Sequence, residues 1–245
     1  MTELLYVHDS YVKEFDACVS DASGSQVFLD RSYFYPVSGG QPCDLGKIFA
    51  SDSVYEVIDV KKVNGVYTIF VDKEGLKKGA IVKCKIDWDR RYKLMRMHTA
   101  AHVISSVLYH VYGGKITGNQ LGIEKSRMDC DAQITRDDLP KIEELANLEI
   151  AKNHKVEIKF YKRKELNDIE ALNRLAKEFP SSVEVVRVVK IGDIDIQFDA
   201  GTHVKETSEI GAVKLIDFEN IGKNNRRVYF CVEDVHATAG EPNKR

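Results

Sequence analysis

The sequence predicts an α+β protein: a small N-terminal β-barrel, then a two-layer domain with helices packed on a mainly antiparallel sheet. Three observations predict it. Residues 1–88 hold short alternating apolar runs divided by turn clusters, the apolar spacing changes to a helical period from residue 89, and the strand-like segments beyond are grouped apart from the helices. With 245 residues the chain is long enough for two apolar cores, and we place the domains at 1–88 and 89–245.

In the first part the runs are Val27-Phe28-Leu29, Val54 to Ile58, Val66 to Val71 and Ile81 to Ile86, separated at Ser38-Gly39-Gly40, Asn64-Gly65 and Lys73-Glu74-Gly75. In the second part Leu94, Met97, Ala101, Ile104, Leu108 and Val111 recur at steps of three and four, an apolar stripe on a helix that Gly113-Gly114 should end. Asp137-Asp138 before Pro140 announces a second helix, and ELNDIEALNRLAKEF, stopped by Pro180, reads as a third. Strands are expected over 155–160, 183–189, 193–198, 212–216 and 227–232.

Composition excludes several classes. The 43% hydrophobic and 30% charged residues are those of a globular chain, which argues against disorder. No apolar run approaches the roughly 20 residues that cross a bilayer, and the N-terminus MTELLYVHDS lacks a signal peptide's pattern, so a cytoplasmic location without membrane contact is expected. Five scattered cysteines without a C-x-x-C pair disfavour a disulfide framework or a zinc knuckle. With 36 basic against 38 acidic residues, a nucleic acid would have to be met by a local patch.

The stretch LMRMHTAAHV carries His98 and His102, four apart and therefore on one helical face, about 100° from the Met97/Ala101 stripe. They can share a metal, or be capped or solvated polar residues. Thr99 follows His98, so the pair is not H-E-x-x-H and brings no carboxylate base. A catalytic zinc needs a third protein ligand. The segment Phe198-Asp199-Ala200-Gly201-Thr202-His203-Val204 offers Asp199 and His203, which together with the pair make a His3Asp set; Asp199 can equally be an ordinary turn residue beside Gly201.

HTAAH, DAGTHVKETSEIG and FYPVSGGQPCDLG together resemble the editing domain of alanyl-tRNA synthetases and its free-standing relatives, the AlaX editing proteins. The family pattern is H-x-x-x-H, then C-x-x-x-H within C-G-G-T-H-V, then T-x-E-I-G. His98, His102 and His203 match three of its zinc ligands, and the resemblance runs from about Tyr33 to Phe230. Where the family has its cysteine ligand this chain has Asp199, a harder donor that keeps the charge and leaves open direct, water-mediated or no ligation. The glycine-rich Ser38 to Gly46 marks relatives of medium length with the N-terminal β-domain, which act in trans without an aminoacylation domain.

The resemblance implies hydrolysis of a mischarged aminoacyl ester on tRNA(Ala), serine foremost and glycine as a further substrate, since a pocket for alanine poorly rejects either. It implies Zn²⁺ and a metal-activated water rather than a covalent nucleophile; Cys130 and Cys231 have no motif-borne histidine and read as packing residues. Asn119 and Gln120 match positions lining the amino-acid pocket, or form a polar turn; Thr202 joins them from the second motif, and Ala101 stands where many relatives carry a threonine. Gly39 and Gly40 permit close backbone approach to substrate or simply make a hairpin. For tRNA phosphates the candidates are Arg90, Arg91, Lys93 and Arg96, and Lys223, Arg226 and Arg227, each cluster being otherwise a solvated face. No obligate protein partner is expected. Two rival readings remain, a deacylase for another aminoacyl-tRNA and a tRNA-binding module whose catalysis is impaired by Asp199.

Overall fold

The computed structural model describes residues 2–162, 165 and 184–233. These form two compact units, residues 2–95 with 200–202, and the described parts of 96–199 with 203–233. The third helix expected from ELNDIEALNRLAKEF lies, Glu165 apart, outside the described residues.

In the first unit, β1 (Glu3–Leu4) pairs in parallel with β4 (Arg31–Ser32). The strands β2 (Glu14–Ser23), β3 (Gln26–Leu29), β5 (Gly46–Ala50), β6 (Ser53–Val63), β7 (Val66–Val71) and β8 (Ile81–Ile86) close into a barrel of order β2-β3-β7-β6-β5-β8. Period-two patterning makes the barrel. In β8, Val82, Cys84 and Ile86 point inward while Ile81, Lys83 and Lys85 point out, and β2 turns Phe15, Ala17 and Val19 to the same core. Outward positions pair by charge, with Lys83 Nζ 2.7 Å from Glu14 Oε2 across the β2/β8 ladder. Val27, Leu29, Ile48, Val60 and Ile69 are fully buried, each contributing about 1.5–3 kcal/mol. Closure leaves these strands no open edge.

Two turns carry the local sequence signals. Asn64 and Gly65, with φ of 51° and 81°, turn β6 into β7. Gly39 and Gly40, at 56° and 83°, form the tip of a turn in which Gln41 N–H donates to the Ser38 carbonyl at 2.8 Å.

The second unit contains most of α1 (Trp88–Tyr112), then β9 (Ile116–Gln120), β10 (Ser126–Cys130), α2 (Leu139–Ala151), β11 (Val156–Lys162), β12 (Val185–Ile191), β13 (Asp195–Phe198), β14 (Val213–Gly222) and β15 (Asn225–Val232). The antiparallel layer is divided into two sheets, β14-β15-β10-β9 and β11-β12-β13. Helix α1 ends as expected: Gly113 has φ 64°, and Gly113 and Gly114 donate to the carbonyls of Tyr109 and Leu108. A capping box between Thr135 and Asp138 precedes α2, and Asn147 on α2 accepts from Val213 N–H at 2.8 Å and donates to the Val213 carbonyl at 2.9 Å.

The helix α1 differs from its expected single stripe. It is buried on every face from Leu94 to Leu108, which takes His98, Thr99, His102, Ser105 and Ser106 inside. Small and hydroxyl-bearing residues with hydrogen-bond partners make this tolerable: Ser106 Oγ donates to the Ile194 carbonyl at 2.6 Å, and Ser105 Oγ accepts from Gln197 Nε2 at 3.3 Å. No described helix is long and apolar enough to cross a membrane.

Candidate metal centre

One helical turn of α1 sets His98 and His102 side by side, ring centroids 5.3 Å apart. After β13 the chain turns through Asp199 and returns with His203, whose ring lies 4.4 Å from that of His98 and 4.8 Å from that of His102. The Asp199 carboxylate faces all three: Oδ2 is 3.2 Å from His98 Nε2 and 3.8 Å from His102 Nε2, and Oδ1 is 3.0 Å from His203 Nε2. One donor atom from each of the four residues lies within 4.8 Å of the others. The three imidazoles are almost wholly buried, whereas the Asp199 side chain keeps 19% of its surface exposed. The open side of the group is therefore the carboxylate side.

On His102 and His203 the ring nitrogen turned away from this centre is also engaged. His102 Nδ1 is 2.7 Å from Asp195 Oδ2, and Gln197 Nε2 donates to both Asp195 oxygens at 2.9 and 3.1 Å. His203 Nδ1 is 3.2 Å from Thr99 Oγ1, which also accepts from Val204 N–H at 3.2 Å. Arg187 Nη1 donates to the Asp199 carbonyl at 2.7 Å and stands 3.8 Å from its Oδ1, fixing the turn that carries the carboxylate.

The charges follow from this geometry. Burial opposes charge on His102, but Asp195 and Asp199 overcome it and raise its pKa to about 10. Burial likewise works against the Asp199 carboxylate, yet the facing histidines hold its pKa well below the usual range. His203 moves the other way: burial and the neighbouring His98 outweigh Asp199 and lower its pKa strongly. Three imidazole nitrogens and a carboxylate oxygen are ligand types of four-coordinate zinc sites, and the group is able to hold a metal ion. Binding would have to displace the His102 proton that faces Asp199.

The remaining residues singled out by sequence fall into three sets. Gly39 and Gly40 are exposed at a turn with open space where a Cβ would stand at Gly39, so conformation alone accounts for the glycine there. Thr202 is fully buried, and its hydroxyl accepts from Gln41 Nε2 at 2.9 Å while its N–H donates to Gln41 Oε1 at 3.2 Å; this burial removes its hydroxyl from an open substrate surface. Asn119 and Gln120 lie at the end of β9, a strand rather than a polar turn, because the ladder with β10 supplies the hydrogen bonds that their own sequence does not advertise. Gln120 Oε1 accepts from Arg127 Nε at 3.1 Å.

Among the cations, Arg91 and Arg96 do not form a phosphate-binding face. Arg91 is fully buried in the first unit, its guanidinium on Asp44 and on the carbonyls of Ser10 and Tyr33. Arg96 is buried against the carbonyls of Ile210 and Glu233. Arg227 forks onto Asp129 at 2.7 and 2.9 Å, Arg226 donates to the Ile134 and Gly222 carbonyls, and Arg90 donates to the Cys43 carbonyl. Lys93 and Lys223 are exposed. The Cys130 thiol is fully buried and its pKa is pushed up by burial, and the pKa of Cys231 is raised as well.

Sequence reasoning missed Asp195, Gln197, Thr99 and Arg187. The signal for the first two was present, since polar residues at 195, 197 and 199 alternate along one strand face and its turn; alternation marks two faces but not which is buried.

Comparison with known proteins matches the sequence of this chain to two family models and to several curated proteins. The family described as "Threonyl and Alanyl tRNA synthetase second additional domain" matches residues 186–229, and "tRNA synthetases class II (A)" matches residues 4–90. The chain is 45% identical over 243 residues to the alanyl-tRNA editing protein AlaX-M of Methanosarcina barkeri, covering 96% of this chain and 100% of that one. It is 40% identical over 238 residues to the AlaX-M protein of Saccharolobus solfataricus, 95% of this chain and 100% of the relative. The alanine–tRNA ligase of Pyrococcus abyssi shares 37% identity over 235 residues, 94% of this chain but 26% of the ligase.

Proposed function

Because the chain belongs to the alanyl-tRNA editing protein AlaX-M family, we propose that it is a zinc-dependent deacylase of mischarged tRNA(Ala), with Ser-tRNA(Ala) its main substrate and Gly-tRNA(Ala) a further one. The observation that carries this reading is the convergence of His98, His102, Asp199 and His203 on one small volume. It acts in the cytoplasm, in trans and without an obligate protein partner. The unit holding the four donors is the deacylase domain, and residues 1–88 form the domain with the glycine-rich turn.

Bound zinc supplies Lewis acidity, which makes the ester carbonyl more electrophilic and nearby water more acidic. The chain's own residues hold and orient. Three Nε2 atoms and one carboxylate provide the donors; Arg187 braces the backbone of Asp199 through its carbonyl. Burial of the three imidazoles excludes bulk water from their side, so the substrate ester enters on the exposed carboxylate side. Asn119 and Gln120 are the side chains proposed to meet the serine hydroxyl, the one group by which serine exceeds alanine; a site built to bond that hydroxyl discriminates strongly against its absence. Lys93, Arg90, Lys223 and Arg226 are the proposed phosphate contacts.

The test is deacylation of Ser-, Gly- and Ala-tRNA(Ala), together with serine and threonine esters on other tRNAs. Rapid loss of Ser-tRNA(Ala) with Ala-tRNA(Ala) spared is the expected result. Zinc-replete protein that leaves Ser-tRNA(Ala) intact, or that prefers an ester on another tRNA, contradicts the proposal.

A further inference from the structure

We propose that Asp195 is a positioning residue of the metal centre, one that fixes the His102 ring so that Nε2 presents its lone pair to the metal. It rests on the metal reading above and goes beyond the four donors to the group that orients one of them.

The geometry leaves little choice. Asp195 is 2% exposed and lies two residues before Gln197 on β13, so both side chains point to the same face of the strand. His102 and Ser105 are three residues apart on α1 and so share a face of the helix. The four side chains close a circuit between the two elements: Ser105 Oγ to Gln197 Nε2 at 3.3 Å, Gln197 Nε2 to the Asp195 carboxylate at 2.9 and 3.1 Å, and Asp195 Oδ2 to His102 Nδ1 at 2.7 Å. The Gln197 amide nitrogen only donates, so the Asp195 oxygens it faces are acceptors. An acceptor at 2.7 Å from Nδ1 requires the proton on Nδ1, and the neutral ring then has its lone pair on Nε2, the atom that faces Asp199. A carboxylate in this position also makes the imidazole a better donor, and losing such a partner typically weakens metal binding by about 10–100-fold.

A purely structural role, clamping α1 to β13, is the competing explanation. It would lower stability without altering the metal. The experiment therefore reads the metal directly in the full-length protein: zinc affinity by chelator competition, the visible spectrum of the cobalt-substituted form, and the melting temperature of the metal-free form. Asp195→Asn keeps the shape but removes the charge. The expected result is zinc affinity weaker by about 10–100-fold and a changed cobalt spectrum, with a smaller loss in Gln197→Met, which removes the amide that donates to the Asp195 carboxylate. Asp195→Asn with a lowered melting temperature but wild-type zinc affinity and cobalt spectrum overturns the proposal.

Should Asp195→Asn fail to fold, the imidazole nitrogen resonances of the zinc-loaded wild type decide. A protonated Nδ1 and a metal-bound Nε2 on His102 are expected; metal on Nδ1 overturns the proposal. Failure of the wild type to take up zinc or cobalt at all is a different outcome, which overturns the metal reading itself and this proposal with it.

Discussion

Arg91 shows how much a single side chain can carry. Its guanidinium is enclosed with Asp44, which also accepts from Tyr35 N–H at 2.6 Å, so each charge is matched on several sides. Truncation would leave the Asp44 carboxylate buried and unpaired. Arg91→Ala is therefore expected to lower unfolding free energy by about 3–5 kcal/mol in denaturant titration. A phosphate-binding arginine would give the opposite pattern, unchanged stability with weakened tRNA affinity. His102 makes a second prediction, for the metal-free protein. Its folded pKa of about 10 lies above its ordinary value of 6.5, so protonation linkage stabilises the fold fully below 6.5 and the contribution fades as pH rises through 10. The stability gap between chelated wild type and His102→Gln should narrow across that interval; a gap that widens contradicts the assignment.

Single residues also mark where sequence stopped being legible. His98, His102, Asp199 and His203 were readable because helical spacing and a family motif name them. Arg91 and Arg96 were read as surface cations, since nothing local to RRYKLMR reveals acceptors such as Asp44, 47 residues away, or the Ile210 carbonyl, 114 residues away. The partners of Asp195 and Thr99 were hidden for the same reason: they come from the other element of the site, and Asp195, a polar residue in an alternating strand, looks solvated until the strand is packed.

At the scale of elements, the barrel strands β3, β6, β7 and β8 were legible because period-two alternation survives in a closed sheet with one solvated face, while β2 and β5 were not among the runs read from the sequence. The strands β9 and β10 were not, since ITGNQ and SRMDC are poor in apolar residues and gain their ladder bonds from each other and from β15. The helix α1 was legible in its ends and less so in its surroundings. Its C-terminal stop is testable. Gly113 sits at φ 64° with no atom within 4 Å of the position a Cβ would take, so Gly113→Ala adds backbone strain and no clash. The expected cost is about 1–2 kcal/mol by thermal or chemical unfolding. A neutral or stabilising substitution would show that the left-handed stop does not hold the helix end.

For the whole molecule, an α+β architecture follows from patterning, while the division of the antiparallel layer into two sheets depends on which hairpins pair and is not written in any one segment. The same separation applies to function. Composition and charge narrow the chain to a globular protein that is not a polycation overall; the candidate metal-binding group arises only when His98 and His102 of α1 meet Asp199 and His203 in the second unit. The four candidate donors thus form a tertiary constellation of two pairs, each pair four residues apart and the two more than ninety residues apart in sequence. The most direct measurement is the hydrolysis rate of Ser-tRNA(Ala) by one preparation of the protein, first stripped of metal and then reloaded with stoichiometric zinc. The account predicts hydrolysis near the spontaneous rate when stripped, recovery on reloading, and no recovery in His203→Ala. Equal hydrolysis in the stripped and reloaded protein would contradict it.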